Sequence, residues 1–295
     1  MCYNIGGLSG AGDYCWRVPW EEGKYKDFDV LRQLKIVSGG LGEPMTAGAS
    51  ARASVSVLVP TLNEEENIDP LLERLLAVRQ QANLDFDVVF IDSASTDDTC
   101  GRVEAWADKG PVKMLCRDIN VGLAGAVIAG AKHVDSDIVL VMDADLSHPP
   151  EAIPMLLQPI FAGGYDMVIG SRYVSGGATP DWPFSRRLSS RLATIPALLF
   201  CEVKDPLAGF FAVWRRLIAE LPGEVPGFKI GLAILAEYGS ELRVKELPIQ
   251  FHDRDLGQSK MNRAVIIDYG KQLAALFGGR LRNRLRGVRT GFWLR

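Results

Sequence analysis

The chain has 295 residues, 47% hydrophobic and 23% charged, which is enough for a sizeable core and argues against a disordered chain. Its net charge of −3 is uneven: residues 1–268 carry −10 and residues 269–295 carry +7, so a basic surface across the whole fold is excluded while a basic tail is not. Five scattered cysteines without paired metal spacing favour reduced thiols over a disulfide framework, and no apolar run reaches the roughly 18 residues of a membrane span.

Residues 1–52 are glycine-rich and weakly periodic, and read as an irregular extension that Trp16, Trp20 and Phe28 could dock on the body. They lack a basic segment followed by an apolar one, so no signal peptide is expected and the thiols fit a reducing cytoplasm.

From Ala53 short apolar runs alternate with longer mixed segments. Strands are predicted at Val55–Val59, Phe86–Ile91, Val112–Leu115, Ile138–Met142 and Met167–Ile169. Helices are predicted at Glu64–Gln80, Thr96–Lys109, Gly122–Val134 and Pro150–Ala162. This alternation is that of an α/β fold, a mostly parallel sheet with helices on both faces. In such folds ligands bind beyond the carboxyl ends of the strands, and the loops there are polar in all five cases. Asn63 and Thr96 also read as helix N-caps, and Gly122 and Gly125 as close-packing glycines.

The fourth loop, Met142-Asp-Ala-Asp-Leu-Ser-His-Pro-Pro150, is the most informative. Residues two apart on a strand share a face, so Asp143 and Asp145 are expected to converge. Two like charges in a crevice call for a cation, and hard oxygen ligands suit Mg²⁺ or Mn²⁺ carrying a phosphate-bearing substrate. His148 reads as a packing or capping residue.

Beyond the sheet, Ser185–Leu199 combines arginines with Leu188, Leu192, Ile195, Leu198 and Leu199, a pattern that fits either an interfacial helix or core packing. Residues 262–277 are amphipathic. Six arginines follow Lys271, and at about 1 kcal/mol each near an anionic surface they fit a membrane-surface tail. RNA is the rival partner for such a tail, but no recognition motif accompanies it, so no nucleic-acid partner is expected.

Taken together these motifs resemble the family 2 glycosyltransferases, and within them the dolichol-phosphate (polyprenyl-phosphate) mannosyltransferase group. The resemblance rests on Val59-Pro-Thr-Leu-Asn-Glu64 with Glu66-Asn67, Asp92 with Ser95-Thr-Asp97, Asn120-Val-Gly-Leu-Ala124, Met142 to Glu151 and Gly170-Ser-Arg-Tyr173. It continues through Arg186 to Ser190, Asp205 with Ala208-Gly-Phe-Phe211, Gly227-Phe-Lys-Ile230, and Phe251-His-Asp-Arg254 with Gly257-Gln-Ser-Lys-Met261. These run in order over about 70% of the chain.

The resemblance implies a GT-A (Rossmann-like) catalytic domain over residues 53–261, followed by an amphipathic helix and Arg-rich membrane-surface tail over 262–295. It implies that Pro60, Thr61, Asn63, Glu64, Asp92, Asn120, Gly122, Asp143, Ala144 and Lys260 bind a nucleotide-sugar, and that Asp143, Asp145 and Ser147 hold the metal. Arg172, Arg186 and Ser190 would receive the phosphate of a polyprenyl-phosphate acceptor, with Asp145, Arg172 and Arg254 the residues on which the rate depends. Arg254, Ser259 and Lys260 lie in a segment read as a mobile loop whose cations face the diphosphate. A phosphate acceptor is already ionised at neutral pH, so no strong general base is required. The expected activity is inverting transfer of a hexose, mannose from GDP-mannose first, at the cytoplasmic face of a membrane. A UDP-sugar such as UDP-glucose is the alternative donor, a non-catalytic sugar-nucleotide-binding subunit the alternative class, and a separate membrane subunit a further partner. Two departures stand out: Ser93 replaces a second acidic residue, and Ala233 replaces a glutamate.

Overall fold

The computed structural model describes residues 53–120, 122–221, 227–253 and 263–285. The extension over 1–52, together with Arg254, Gly257, Ser259 and Lys260, lies outside the described residues.

Strands β1 (Val55–Thr61), β2 (Asp87–Asp92), β3 (Val112–Leu115) and β4 (Ile138–Val141) alternate with helices α1 (Glu65–Gln81), α2 (Thr99–Glu104) and α3 (Gly122–His133). Next come α4 (Ile153–Phe161), β5 (Met167–Ser171), α5 (Phe184–Ala197), β6 (Phe211–Trp214), α6 (Arg216–Ala219), α7 (Ile230–Tyr238), β7 (Val244–Pro248) and α8 (Arg263–Leu285). The seven strands form one sheet in the order β3-β2-β1-β4-β6-β5-β7. Only β6 is reversed, pairing antiparallel with both β4 and β5.

The period-2 pattern of the strands builds two cores. Val57, Val59, Val88, Phe90, Ile138 and Leu140 point to the face covered by α1 and α4. Their neighbours Leu58, Val89, Ile91, Val139 and Val141 point to the face covered by α3, α6 and α7. The chain runs outward from β1 through β2 to β3 and resumes with β4 on the other side of β1, which leaves a crevice at the carboxyl ends of β1 and β4.

Helix α3 reaches the sheet through Gly130, where a Cβ would lie 2.8 Å from Ile91 Cδ1 and 3.4 Å from Leu58 Cδ2. Both side chains are fully buried. Gly130→Val is therefore expected to cost about 1–3 kcal/mol, read as a lower urea midpoint at unchanged slope. Alanine should be nearly neutral, because its gain of about 1 kcal/mol in helix propensity offsets the crowding.

The structure departs from the sequence reading in several places. Helix α2 ends at Glu104 rather than Lys109, the chain tightening into i→i−3 turns at Trp106, Ala107 and Lys109. Strands β6 and β7 and helices α6 and α7 are not anticipated: β6 is four residues inside a continuous apolar stretch, β7 is half-buried beside β5, α6 is a single turn, and α7 is apolar from Ile230 to Ala236. Strand β4 stops at Val141, so Asp143 and Asp145 sit in the loop and strand alternation does not set their directions.

Candidate active site

The loops after β1 and β2 are laced together. The buried Asp92 carboxylate accepts the Thr61 hydroxyl at 3.2 Å, the Ser95 N–H at 2.8 Å and the Ser95 hydroxyl at 2.5 Å. Asn63 donates its N–H to Ser95 Oγ and accepts the Thr96 N–H on Oδ1, while the Glu64 N–H donates to Thr99 Oγ1. Neither Asn63 nor Thr96 caps a helix, correcting the capping expectation: α1 is preceded by Glu64 and α2 by Asp98, each without a side-chain cap bond. The Glu64 carboxylate accepts the Asn67 side-chain amide at 2.8 Å. Asn63 (φ 53°) and Ala94 (φ 62°) hold left-handed backbone in these loops, strain of the kind that collects at ligand sites. Asn120 is exposed, and its Oδ1 accepts the N–H of Gly122, whose φ of 73° begins α3.

In the loop after β4 the two carboxylates differ. Asp145 is 4% exposed and its Oδ1 accepts both the N–H and the hydroxyl of Ser147, the latter at 2.6 Å. Asp143 keeps 33% of its side chain exposed. Ala144 between them is core, and Leu146 takes the left-handed φ of 61° that turns the chain after Asp145. His148 is 2% exposed, stacks on Phe210, and its Nδ1 accepts the Asp143 N–H at 3.0 Å. Burial pushes the His148 imidazolium below its ordinary range in spite of Asp143 and Asp145, so a neutral imidazole braces the loop, as a capping residue should. The donor set suits a hard divalent cation: two carboxylates on adjoining turns, one oriented by Ser147 and one open to a cavity.

Across the crevice stands a cluster of arginines and aromatics. Arg172 donates from Nε (2.8 Å) and Nη2 (2.7 Å) to both oxygens of Asp205, which is fully buried and also accepts the Arg172 N–H. Burial works against the Arg172 charge, but Asp205, with Tyr173 and Asp143, outweighs it and holds the guanidinium charged. Arg186 Nη1 reaches both oxygens of Asp253 at 2.8 Å, and the Arg186 Cζ lies 4.2 Å from the centroid of the Trp182 ring. Tyr173 Oη and Ser190 Oγ share a hydrogen bond of 2.7 Å, and Arg172 also faces Tyr173, Trp182 and Phe251. The three expected acceptor residues thus belong to one cluster, although carboxylates hold both arginines.

Lys229, in the Gly227-Phe-Lys-Ile230 motif, is a site residue that the sequence reading misses. With Asp143, Gly209 and Phe228 it lines a small open cavity. Burial and the repulsion of Arg172 push its ammonium down to about 8, against the pull of Asp143 and Asp205. Gln272 of α8 clamps the Lys229 main chain, accepting its N–H (3.1 Å) and donating to its carbonyl (2.9 Å). Asp143, Arg172, Asp205 and Lys229 thus act on one another's charges, joining the carboxylate loop to the arginine cluster. The signal that could have found Lys229 was a lysine flanked by apolar residues on both sides.

The outer face of α5 carries Phe184, Leu188, Leu192 and Ile195, continued by Leu198 and Leu199, at exposures of 43–76%. Its inner side joins α7 and α8 through Ala197, Leu232, Tyr269 and Leu273. Core packing, one of the two readings of the Leu188 to Leu199 leucines and Ile195, is therefore not what they do. No described helix is long and apolar enough to cross a membrane.

Residues 56–222 match Glycosyl transferase family 2. The dolichol-phosphate mannosyltransferase of Pyrococcus furiosus is 38% identical over 226 residues, which cover 75% of this chain and 63% of that protein. The protein of the same name from Saccharomyces cerevisiae is 34% identical over 232 residues, covering 75% of this chain and 86% of its own. Among solved structures, glucosyl-3-phosphoglycerate synthase from Mycobacterium tuberculosis, bound to Mn²⁺, uridine diphosphate and glucosyl-3-phosphoglycerate, superposes with a TM-score of 0.58. At 22% identity over 77% of this chain and 80% of that one, it shares the GT-A-like fold.

Proposed function

The chain belongs to glycosyltransferase family 2, and from that premise we propose that it transfers mannose from GDP-mannose to a polyprenyl monophosphate at a membrane surface. The observation that carries this reading is α5, which brings Arg186 and Ser190 to the arginine cluster while its outer face presents an unburied apolar stripe. A lipid with an anionic head calls for a cationic site beside an apolar surface, and α5 carries residues of both.

In this reading Arg172 and Arg186 receive the acceptor phosphate, for which a guanidinium fork is the matching shape, and Ser190 adds a hydroxyl. The loops around Pro60, Thr61, Asn63, Glu64 and Asp92, with Asn120, Gly122 and Ala144, bound the nucleotide; Asp92 acts by organising the loop and Asn120 by starting α3. Asp143 and Asp145, with Ser147 orienting Asp145, would hold Mg²⁺ or Mn²⁺, which when bound neutralises charge on a departing diphosphate. Lys229 adds a cation beside Asp143, and Arg254 and Lys260, which lie outside the described residues, would supply further ones to the diphosphate. The phosphate oxygen attacks the anomeric carbon from the face opposite the leaving group, so the configuration inverts and no protein base is needed.

Labelled GDP-mannose, UDP-glucose and UDP-N-acetylglucosamine, each supplied with a polyprenyl phosphate and Mn²⁺, should give lipid-phase label with GDP-mannose alone. Label with a UDP-sugar alone would replace the donor, and nucleotide binding without turnover of any donor would leave a non-catalytic subunit.

Two outcomes accompany this reading. Lys229 is charged below about pH 8, so kcat/KM for the donor should fall as pH rises through that value, and Lys229→Met should lose that limb along with most donor affinity. The exposed Phe184, Leu188 and Leu192 would each contribute about 1.5 kcal/mol or more on entering a bilayer. Changing all three to serine should therefore lower partitioning onto anionic vesicles on the order of 10³-fold, at unchanged thermal midpoint. Undiminished vesicle binding would move the membrane surface to another face.

A further inference from the structure

Two thiols sit where the donor loops leave the sheet. Cys100 lies in the first turn of α2, directly after Thr99, whose hydroxyl accepts the Glu64 N–H. Cys116 directly follows β3 and begins the segment that leads through Arg117 and Asn120 to α3. Their sulfurs are 3.0 Å apart, Cys116 being exposed and Cys100 half-buried. A disulfide needs about 2.05 Å between sulfurs, so the two have about 1 Å left to close. The third described cysteine, Cys201, is buried near α5. Beside Cys116, Arg117 has a buried Nη1 with no hydrogen-bond partner among the described residues, so this segment holds a donor without an acceptor.

We propose that Cys100 and Cys116 are a redox modification site, oxidised to an intramolecular disulfide by a small-molecule disulfide such as oxidised glutathione, and that the cross-link weakens donor binding. The second half rests on the donor site proposed above; the first does not. The exposed Cys116 thiolate attacks one sulfur of the oxidant, whose S–S bond breaks and whose other half leaves as a thiolate that takes up a proton. Cys100 then gives up its proton and attacks the Cys116 sulfur, expelling the second thiol. Two protein thiols lose two electrons and two protons, and the oxidant gains both. Burial, the neighbouring thiol and Asp92 push the Cys100 thiol up to about 12, which leaves it protonated and makes Cys116 the point of entry. The small thiolate fraction that results is offset by the intramolecular reaction of two sulfurs held 3.0 Å apart.

The consequence follows from what the two cysteines are tied to. Asp92, Ser95, Asn63 and Thr99 form one hydrogen-bonded unit with the start of α2, while Asn120 and Gly122 set the start of α3. Drawing Cys100 and Cys116 together fixes the spacing between these two walls.

The full-length reduced chain treated with oxidised glutathione should lose two of its five thiols and about two mass units, with one cross-linked peptide pair joining Cys100 to Cys116. The donor KM should rise at least three-fold with kcat changed less than two-fold, and a phosphine reductant should restore both. Cys100→Ser should keep the donor KM of the reduced enzyme, acquire a single glutathione at Cys116, and show no such rise. A wild-type chain that accumulates the Cys116 adduct without cross-linking overturns the proposal, as does a cross-linked chain whose donor KM is unmoved. Because the cross-link is read by mass, it remains measurable even if the reduced chain turns over no donor, which would count against the proposed function instead.

Discussion

Asp145→Asn is expected to lower transfer at least about 10³-fold, roughly 4 kcal/mol of transition-state stabilisation, while the protein stays folded. Asparagine keeps the shape of the side chain, and its Oδ1 can still accept the Ser147 hydroxyl now 2.6 Å from the carboxylate. What it removes is one negative charge at a position 4% exposed to solvent. A structural role would show as a lowered thermal midpoint with modest loss of rate; a metal-holding role leaves the midpoint nearly unchanged and shifts the Mn²⁺ dependence to much higher concentration. Ser147→Ala separates orientation from charge. It should cost on the order of ten-fold, because Asp145 keeps its charge and loses one hydrogen bond. If Asp145→Asn retains a tenth of the wild-type rate at the same Mn²⁺ optimum, the cation is held elsewhere.

Legibility of this chain in its sequence follows the physics of each part. Five of the six parallel strands were readable because their apolar runs are bounded by turn chemistry and alternate with helices, so hydrophobicity alone marked them. Strands β6 and β7 were not, since one reverses direction within an apolar stretch and the other is half-buried at the sheet edge. The polar loops were recognisable as a set, but their internal bonding was not. Asn63 looked like a helix cap and instead accepts the Thr96 N–H from the neighbouring loop, a partner 33 positions away that no local rule identifies. The same holds for Arg172, whose residue type and setting pointed to a phosphate while its fork is held by Asp205. Burial of α5 was undecidable because leucines on a helix look alike whether they face a core or a lipid; only the packing of α5 on α7 and α8 fixes which side is out.

The Arg172–Asp205 pair allows fold and function to be pulled apart, and the expected result is a loss of both in one variant and of only one in another. With Asp205 fully buried and the Arg172 side chain 10% exposed, removing the carboxylate alone strands a cation. Asp205→Leu should therefore destabilise the protein by about 3–5 kcal/mol, seen as a lower denaturant midpoint, with activity lost as well. Adding Arg172→Met replaces the ion pair by apolar groups and should recover most of that stability, less the hydrogen bond that Asp205 takes from the Arg172 N–H. Transfer should not return, because the guanidinium charge that would meet the acceptor phosphate is gone. Arg172→Lys completes the set: it keeps the charge, loses the geometry that gives Nε and Nη2 both to Asp205, and should cut kcat/KM for the acceptor about 10²-fold while the donor KM moves little. A stable double variant that still transfers sugar at more than a few per cent of the wild-type rate would confine Arg172 to holding the loop after β5, leaving Arg186 to meet the acceptor.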